Sequence, residues 1–463
     1  MVFNSFAYLV FFTTVVVVYF TLPLRYRWLV ILLASYVFYA AWSPLYSLLL
    51  VATTILSWLS VLLMERMSAK RPLLFSGIAI ALIPLFFFKY FDFVSSSLWT
   101  LHKYAGEPFL IDLLLPVGIS FYTFQVIAYM LDVYRGDTVP ERNFFRYATF
   151  VSFFPHLVAG PILRPGNILP QVREGKRWSA ENFKMGLFLI GLGLIKKVVI
   201  ADRLGIFVND IYLNPELYSG ATLLVATYFF AFQIYCDFSG YTDIAIGSAR
   251  ILGYTIPDNF RQPYFSGSIT EFWRRWHISL SSWLRDYVYI PLGGNRKGDV
   301  RTYVNLLTTM LIGGLWHGAA WTFVIWGFFH GVMLTVERFF TVATRSKYWA
   351  LTVVKIVLTF NVVSLSWIFF RAESVRDAFE IIRRIATEFG SLQSPRVPLT
   401  SILLYGVMIA ALLVFDYCEM RYSLSTKILR APWYIRWGLA YGTIFFLIFF
   451  AADSAIQFIY FQF

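Results

Sequence analysis

Apolar residues along this chain fall into long runs that short polar segments separate. A helix needs about 20 apolar residues to cross the hydrocarbon layer of a membrane. The pattern therefore predicts an all-α, polytopic membrane protein of about 10–12 transmembrane helices. The predicted spans are residues 5–23, 27–42, 46–64, 73–92, 110–132, 184–203, 219–238, 303–319, 321–341, 351–370, 401–418 and 437–455. Because no polar stretch is long enough for a soluble domain, we expect one membrane-embedded domain over residues 1–463.

A further apolar stretch, residues 147–163, contains Pro155, Gly160 and Pro161. Proline and glycine both disfavour a continuous helix. Irregular backbone at membrane depth has to be shielded by protein. This stretch is therefore predicted to be a broken, re-entrant or interfacial element.

The segment from residue 268 combines aromatic and basic residues at helical spacing. Ser268 and Glu271 match a capping box, which predicts the start of a helix. Residues on one face then recur at spacings of three and four, namely Trp273, Trp276, His277, Leu280, Trp283, Leu284 and Tyr287. Arg274 and Arg285 take the opposite face. The segment is predicted to be a basic amphipathic helix whose aromatic face lies in the headgroup region.

Composition supports a membrane location. Hydrophobic residues make up 59% of the 463 residues and charged residues only 14%, whereas about a quarter is usual in soluble domains. The net charge of +13 comes from Lys and Arg scattered between the spans, so nucleic-acid binding is not expected. The two cysteines, Cys236 and Cys418, exclude a disulfide framework, and no Cys/His spacing indicates a metal site.

The basic residues also predict an orientation. Arg25, Arg27 and Arg66 follow predicted spans, whereas loop 206–218 and the tail after Ala451 contain neither Lys nor Arg. Basic loops usually face the cytoplasm, which places both termini outside. The N-terminal run lacks a basic region and a small-residue cleavage site, so we expect a retained first span.

One histidine lies deep in an apolar run. Counted from about residue 302, His317 lies roughly 20 Å along a helix that enters a ~30 Å hydrocarbon core. An ionisable group at this depth is a candidate functional site. Gly313, Gly314 and Gly318 leave room beside it for close helix packing or for a substrate. A neutral imidazole suits a general base, and the alternative is a structural histidine hydrogen-bonded within the helices.

Three other histidines have structural interpretations. We expect His330 to be a packing position and His156 to be structural, with a cavity-lining role as the alternative. His102 is expected to be solvated in an external loop.

Four charged residues in apolar surroundings are also expected to have structural or interfacial roles. Asp237 and Asp243 are expected at a span end, where pairing with the arginine-rich helix is favoured over interfacial exposure or ligand binding. Lys196 and Lys197 are expected to extend toward the headgroups from a helix end.

Several motifs in a fixed order carry a resemblance to a known family. They are Asn259 and residues 153–162, 237–247, 268–281, 285–287, 289–296 and 313–318. Together they resemble the membrane-bound O-acyltransferase (MBOAT) family, and within it they are most similar to the alginate O-acetylation branch. The branch that transfers D-alanine to teichoic acids shares the Trp316–His317 pattern but differs around Asp237 and before Arg296.

The resemblance implies a ring of helices around a thinned membrane centre, with a recess from each face. His317 matches the catalytic histidine of the family, and His277 matches the second histidine of its Arg-Trp-His motif. The resemblance also implies a cytoplasmic thioester donor, with acetyl-CoA as the expected substrate and no bound cofactor. The acceptor would lie outside a bacterial inner membrane and would be a polysaccharide, often reached through an extracytoplasmic O-acetyltransferase partner.

The remaining candidate residues are assigned to donor or substrate binding. Arg274 and Arg275 suit a phosphate-bearing donor, with lipid headgroup contact as the alternative. Trp316 and Asp237 are further candidates, and no oxyanion donor is assigned. A transporter with a histidine relay is a competing hypothesis, as is a non-catalytic scaffold. Paired similar halves, which are common in transporters, are not evident in the sequence.

Overall fold

The computed structural model describes residues 1–102, 106–158, 160–340, 349–392, 397–451 and 457–459. Within these ranges the ordered elements are helices, and no β-strand occurs. The described residues group into two compact units, Met1–Ile190 with Ile244–Asp258, and Gly191–Asp243 with Asn259–Phe463. The expectation of one domain over residues 1–463 stays a prediction.

The first unit is built from helices that follow one another closely along the chain. They are α1 (Phe6–Thr21), α2 (Arg27–Ala40), α3 (Pro44–Arg66), α4 (Lys70–Leu85), α5 (Phe91–His102), α6 (Ile119–Arg135), α7 (Phe144–Ser152), α8 (Phe154–Leu157), α9 (Pro165–Glu174) and α10 (Ala180–Leu194). A π-helical turn, Phe86–Tyr90, joins α4 to α5. The last helix, α10, continues into the second unit.

The second unit carries the candidate site. Its helices are α11 (Asp202–Leu213), α12 (Gly220–Ile251), α13 (Ile269–Arg275), α14 (Ile278–Leu284), α15 (Asp299–His317), α16 (Trp321–Phe339), α17 (Trp349–Arg371), α18 (Val375–Thr387), α19 (Leu399–Tyr422), α20 (Leu424–Arg430) and α21 (Trp433–Phe450). The π-helical turns Ile195–Ala201 and Arg285–Tyr289 extend α10 and α14. The C-terminal end of α12 returns to the first unit.

Helices in the described ranges correspond to every predicted span, which confirms the all-α, polytopic prediction. Six of the described helices are long and apolar enough to cross a membrane, namely Pro44–Arg66, Lys70–His102, Gly220–Ile251, Trp349–Arg371, Leu399–Tyr422 and Trp433–Phe450. The other predicted spans correspond to shorter or less apolar helices. Residue 341 and residues 452–455 of the predicted spans lie outside the described residues, as does Lys103, which follows His102 in the predicted external loop.

Some predicted boundaries were wrong. The span predicted from residue 110 begins only at Ile119, because Pro116 and the left-handed Gly118 precede the helix. The external loop predicted for His102 is helical as far as that residue. The span predicted to end at residue 238 continues to Ile251, so Asp237 lies inside a helix and not at its end.

The break predicted within residues 147–163 is confirmed. α7 ends at Ser152 and α8 begins at Phe154, with Phe153 in a non-helical conformation between them. The Phe154 amide donates to the hydroxyl of Ser35 at 3.0 Å, so a side chain on α2 satisfies a backbone group that the break exposes.

The continuous amphipathic helix predicted from residue 268 was wrong, because the chain breaks at His277. The capping box itself is confirmed, since the Ser268 hydroxyl accepts from the Glu271 amide at 3.1 Å. The aromatic face, including Trp273 and Trp276, is buried inside the protein and does not face a headgroup region. Spacing at three and four indicates a buried face, but it does not say whether protein or lipid covers that face.

Glycines bring α15 and α16 close together. A methyl group at Gly314 would lie 2.3 Å from the carbonyl oxygen of Phe323, and one at Gly327 would lie 2.4 Å from that of Met310. Both distances are too short for a β-carbon, so each position requires glycine for the helices to pack at this separation. This contact places the C-terminal end of α15, where His317 lies, beside the first turns of α16.

Candidate active site

His317 is the last residue of α15. The helix begins at an exposed residue, Asp299, so His317 lies about 27 Å along its axis. Its side chain is only 3% exposed, which confirms the predicted burial. The imidazole is enclosed by aromatic rings whose centroids lie 5.0 Å (Trp316), 5.1 Å (Trp326) and 5.2 Å (Phe370) away.

His277 occupies the break between α13 and α14 in the left-handed conformation, with φ 43° and ψ 55°. This conformation costs a non-glycine residue about 1–2 kcal/mol, so neighbouring contacts have to hold it. Asn259 supplies them. Its backbone oxygen accepts from the Ile278 amide at 2.9 Å. Its Oδ1 accepts from the amide and the hydroxyl of Ser279 at 3.1 and 2.8 Å.

The two histidines lie close together. Their ring centroids are 6.2 Å apart, and Trp316 contacts both, at 5.6 Å from His277 and 5.0 Å from His317. Phe238 on α12 packs edge-on against His277 at 4.6 Å. The structure therefore brings His277 together with Trp316 and His317, which are neighbours at the end of α15.

Asp237 belongs to a different network. The Lys197 ammonium lies 2.7 Å from Asp237 Oδ1 and 2.7 Å from Asp202 Oδ1, and all three side chains are at most 3% exposed. The other oxygen of Asp237 accepts from the Ile459 amide at 2.8 Å. The expectation that Lys197 extends toward headgroups was wrong, because two buried carboxylates hold it. These contacts favour a structural role for Asp237 over substrate binding.

A second buried ion pair lies beside the first along the chain. The Lys196 ammonium is 2.8 Å from Asp243 Oδ2, so the expected extension toward headgroups was wrong for this residue as well. The pairing expected for Asp243 is found, but its partner is a lysine on the α10 extension and not an arginine. Tyr235 donates to Asp416 Oδ2 at 2.8 Å. Buried charges of this kind have to be paired, which accounts for lysines in an apolar run.

The two candidate arginines lie near the end of α13. Arg274 is exposed. Arg275 pairs with Glu271 one turn earlier, with its Nη2 2.6 Å from Glu271 Oε1. Their assignment to donor binding stays a prediction.

The other histidines follow their structural interpretations. His330 is fully buried and hydrogen-bonded to Trp273 and Ser366. His156 is buried, and its Nε2 lies 2.8 Å from Gln125 Oε1. His102 is exposed, as expected, but it ends helix α5 and does not lie in a loop.

Sequence reasoning missed the residues that surround and hold the histidines. Asn259 belongs to one of the motifs that carry the family resemblance, but the sequence assigned it no role. Its position along the chain gives no sign that it contacts Ser279. Phe238, Trp326 and Phe370 follow the apolar pattern of their helices, so nothing distinguished them from other packing residues. Only the tertiary structure shows that their rings contact the two imidazoles.

A pair of imidazoles in an aromatic, low-polarity environment can take up and release protons close to a bound substrate. Among the residues that the structure describes, no group of three or more His, Cys, Asp or Glu is arranged to hold a metal ion. Together with several helices that can cross a membrane, this arrangement defines a candidate membrane-embedded enzyme.

Comparison with known proteins shows the family to which this membrane-embedded enzyme belongs. Residues 141–375 match the model of the membrane-bound O-acyltransferase family. The chain is 41% identical to the probable alginate O-acetylase AlgI of Pseudomonas aeruginosa, over 91% of this chain and 82% of that protein. It is 38% identical to a peptidoglycan O-acetyltransferase of Helicobacter pylori, over 77% and 72% of the two chains. It is 29% identical to a teichoic acid D-alanyltransferase of Bacillus subtilis, over 66% and 79%. The chain belongs to the membrane-bound O-acyltransferase family and is a multi-pass membrane O-acyltransferase.

Asn259 gives a testable prediction about how His277 is held. Replacing Asn259 with leucine should lower the rate of acyl transfer at least tenfold, because Ser279 loses its acceptor and His277 can leave its left-handed conformation. Asn259→Asp keeps the acceptor oxygen and should retain most of the rate. Acyl transfer and thermal unfolding would be measured on both variants in lipid nanodiscs. Equal rates for the leucine and aspartate variants would contradict this assignment.

Proposed function

We propose that this enzyme moves an acetyl group from a cytoplasmic thioester donor across the membrane for O-acetylation of an exported polysaccharide such as alginate. The observation that carries the proposal is the 41% identity, over 91% of the chain, to a probable alginate O-acetylase. The relative at 38% identity is also named an O-acetyltransferase. The relative named a D-alanyltransferase is less similar, at 29% identity, and supports D-alanyl transfer to teichoic acid as the second candidate.

The geometry supports His317 as the general base. It takes the proton of the acceptor hydroxyl as the hydroxyl oxygen attacks the thioester carbonyl. The tetrahedral intermediate then collapses, the carbon–sulfur bond breaks, and the leaving thiolate takes the proton back from the His317 imidazolium. The new ester bond is formed at the acceptor oxygen. His277, 6.2 Å away between ring centroids, is placed to orient the donor or to share the proton.

The proposal also covers the acyl donor, the extracytoplasmic partner and the orientation of the protein in the membrane. Acetyl-CoA is the proposed donor, entering from the cytoplasm, where the basic loops would lie. Arg274 and Arg275 are proposed to meet its phosphates, and Trp316 to contact the acyl group beside the two histidines. The acetyl group would pass to an extracytoplasmic O-acetyltransferase partner or directly to the polymer. The protein would lie in a bacterial inner membrane with both termini outside.

Mass spectrometry of the exported polymers tests the substrate class. Polymers would be compared from cells that carry the gene, cells that lack it and complemented cells. We expect acetyl esters on an exported polysaccharide that disappear on deletion and return on complementation. Gene-dependent D-alanyl esters on teichoic acid would support the second candidate, and gene-dependent acetyl groups on peptidoglycan would redirect the proposal to that polymer. Unchanged acetylation of every polymer would overturn the proposal.

Proteoliposomes test the donor and its side of entry. Acetyl-CoA would be supplied inside or outside vesicles in which a cysteine introduced into a loop reports the orientation of the protein, and release of the free thiol would be followed. We expect turnover only when acetyl-CoA meets the face with the basic loops. Turnover from the opposite face would contradict the proposed direction of transfer.

A further inference from the structure

His330 has hydrogen bonds that fix its protonation state. The Trp273 indole donates to His330 Nδ1 at 3.3 Å, so this nitrogen carries no proton. The Ser366 hydroxyl lies 3.0 Å from His330 Nε2 and donates its own proton to the Val363 carbonyl at 2.6 Å. The hydroxyl therefore accepts from a protonated Nε2. Both nitrogens of a neutral, fully buried imidazole are thus used in holding neighbouring residues.

The residue that His330 holds leads directly to His277. Trp273 lies on α13, a seven-residue helix that ends at Arg275, two residues before His277. A helix this short has little stability of its own, so its position depends on contacts with its neighbours. On α16, Glu337 provides a second contact, since its Oε2 accepts from the Thr270 amide at 3.1 Å. Residues 330 and 337 are two helical turns apart and lie on one face of α16.

The same helix also contacts the other histidine. Trp326, one turn before His330, packs against the His330 ring at 4.8 Å and against the His317 ring at 5.1 Å. Trp326 is fully buried, so its ring has little freedom to move. One face of α16 therefore contacts the side chain of His317 and the helix that leads to His277.

We propose that His330 is a positioning residue that keeps the helix leading to His277 in register with His317. The proposal rests on the proposed function of the two histidines in acyl transfer. Without the Trp273–His330 hydrogen bond, α13 can shift along α16, and the separation of the two imidazoles is no longer set. A misplacement of about 1 Å at a reacting centre can lower a rate about a hundredfold. A small shift of α13 after loss of the Trp273–His330 hydrogen bond is therefore sufficient for a large effect on the rate.

Substitution of His330 by phenylalanine and by glutamine tests the proposal. Phenylalanine keeps an aromatic ring but removes both hydrogen bonds, whereas glutamine offers an acceptor for Trp273 and a donor for Ser366. We expect His330→Phe to lower kcat for thiol release from acetyl-CoA about tenfold or more, with KM changed less than about twofold. His330→Gln should recover most of kcat. A merely structural role would instead lower the amount of folded protein and leave the kcat of that protein unchanged.

A double-variant cycle identifies the bond responsible. Trp273→Phe removes the donor of the same hydrogen bond, so the Trp273→Phe/His330→Phe double variant should be no slower than the slower single variant. If His330→Phe does not accumulate, Ser366→Ala provides the test, because it removes the acceptor of Nε2, together with the hydroxyl's own bond to the Val363 carbonyl, and should lower kcat in the same direction. Glu337→Gln is the matched control, since it keeps an acceptor for Thr270 at the far end of α13.

The possible outcomes separate this proposal from the proposed function. Additive effects at positions 273 and 330, or a kcat for folded His330→Phe within twofold of wild type, would overturn the positioning role alone. Wild-type transfer by His317→Ala would instead overturn the proposed mechanism, whatever the result at His330.

Discussion

Replacing His317 with alanine should abolish acyl transfer while the protein still inserts and accumulates. In the proposed mechanism the imidazole is the base, and alanine removes it together with its contacts to the rings of Trp316, Trp326 and Phe370. General-base catalysis commonly contributes about 100- to 10,000-fold to a rate. We expect a loss in this range for turnover of the thioester with acceptor present, and loss of O-acetyl signals from the exported polymer.

The control for this variant is a histidine outside the candidate site. His102→Ala changes an exposed residue at the end of α5 and should leave both accumulation and transfer unchanged. Protein levels in the membrane fraction would be compared by immunoblot, and acetyl esters would be measured on purified polymer. Wild-type acetylation by the His317→Ala protein would exclude the imidazole as the base.

Replacing Lys197 with methionine should unfold or severely destabilise the second unit. The substitution leaves Asp202 and Asp237 buried without the ammonium that lies 2.7 Å from each. Breaking a buried ion pair by removing one partner typically costs about 3–5 kcal/mol, which is a large part of the stability of most domains. We expect a lower unfolding temperature in detergent and little protein in the membrane fraction.

A triple variant tests whether the loss of stability comes from unpaired buried charge or from the changed shape of the side chains. Lys197→Met combined with Asp202→Asn and Asp237→Asn removes all three charges together and should recover much of the lost stability, since neutral replacements of a buried charge cluster are often tolerated. Asp237→Asn also keeps an acceptor oxygen for the Ile459 amide. A Lys197→Met protein as stable as wild type would show that the ammonium is not needed to offset the two carboxylates.

The sequence was sufficient to predict the fold class and the burial of His317. Long apolar runs predict membrane helices because the bilayer sets their length, and each predicted span contains a helix. His317 could be singled out because an imidazole that deep in an apolar run is costly, and the structure confirms its burial. Both inferences depend only on local composition and on distance along a helix.

Other features depend on residues that are far apart in sequence. The break at His277 was missed because the helical spacing continues through Trp276, and the contact that stabilises the break comes from Asn259. Lys197 was misinterpreted because one of its two partners, Asp237, is forty residues away, and no local pattern distinguishes a buried lysine from one that reaches the headgroups. The assignment of Asp237 to substrate binding stays a prediction beside its ion pair with Lys197.

The left-handed backbone at His277 means that this position selects against substitutions in two independent ways. β-Branched and bulky side chains would add conformational strain whatever their chemistry, whereas glycine and asparagine tolerate φ near 43°. Asparagine or glycine at 277 is therefore the informative replacement, because it removes the imidazole without adding backbone strain. In a library of all substitutions at position 277, the amount of folded protein would show which side chains the backbone conformation tolerates. The activity of the folded variants would show whether the imidazole is required. Substitutions at this single position would thus separate the effect of the unusual backbone conformation on folding from the effect of the lost imidazole on catalysis.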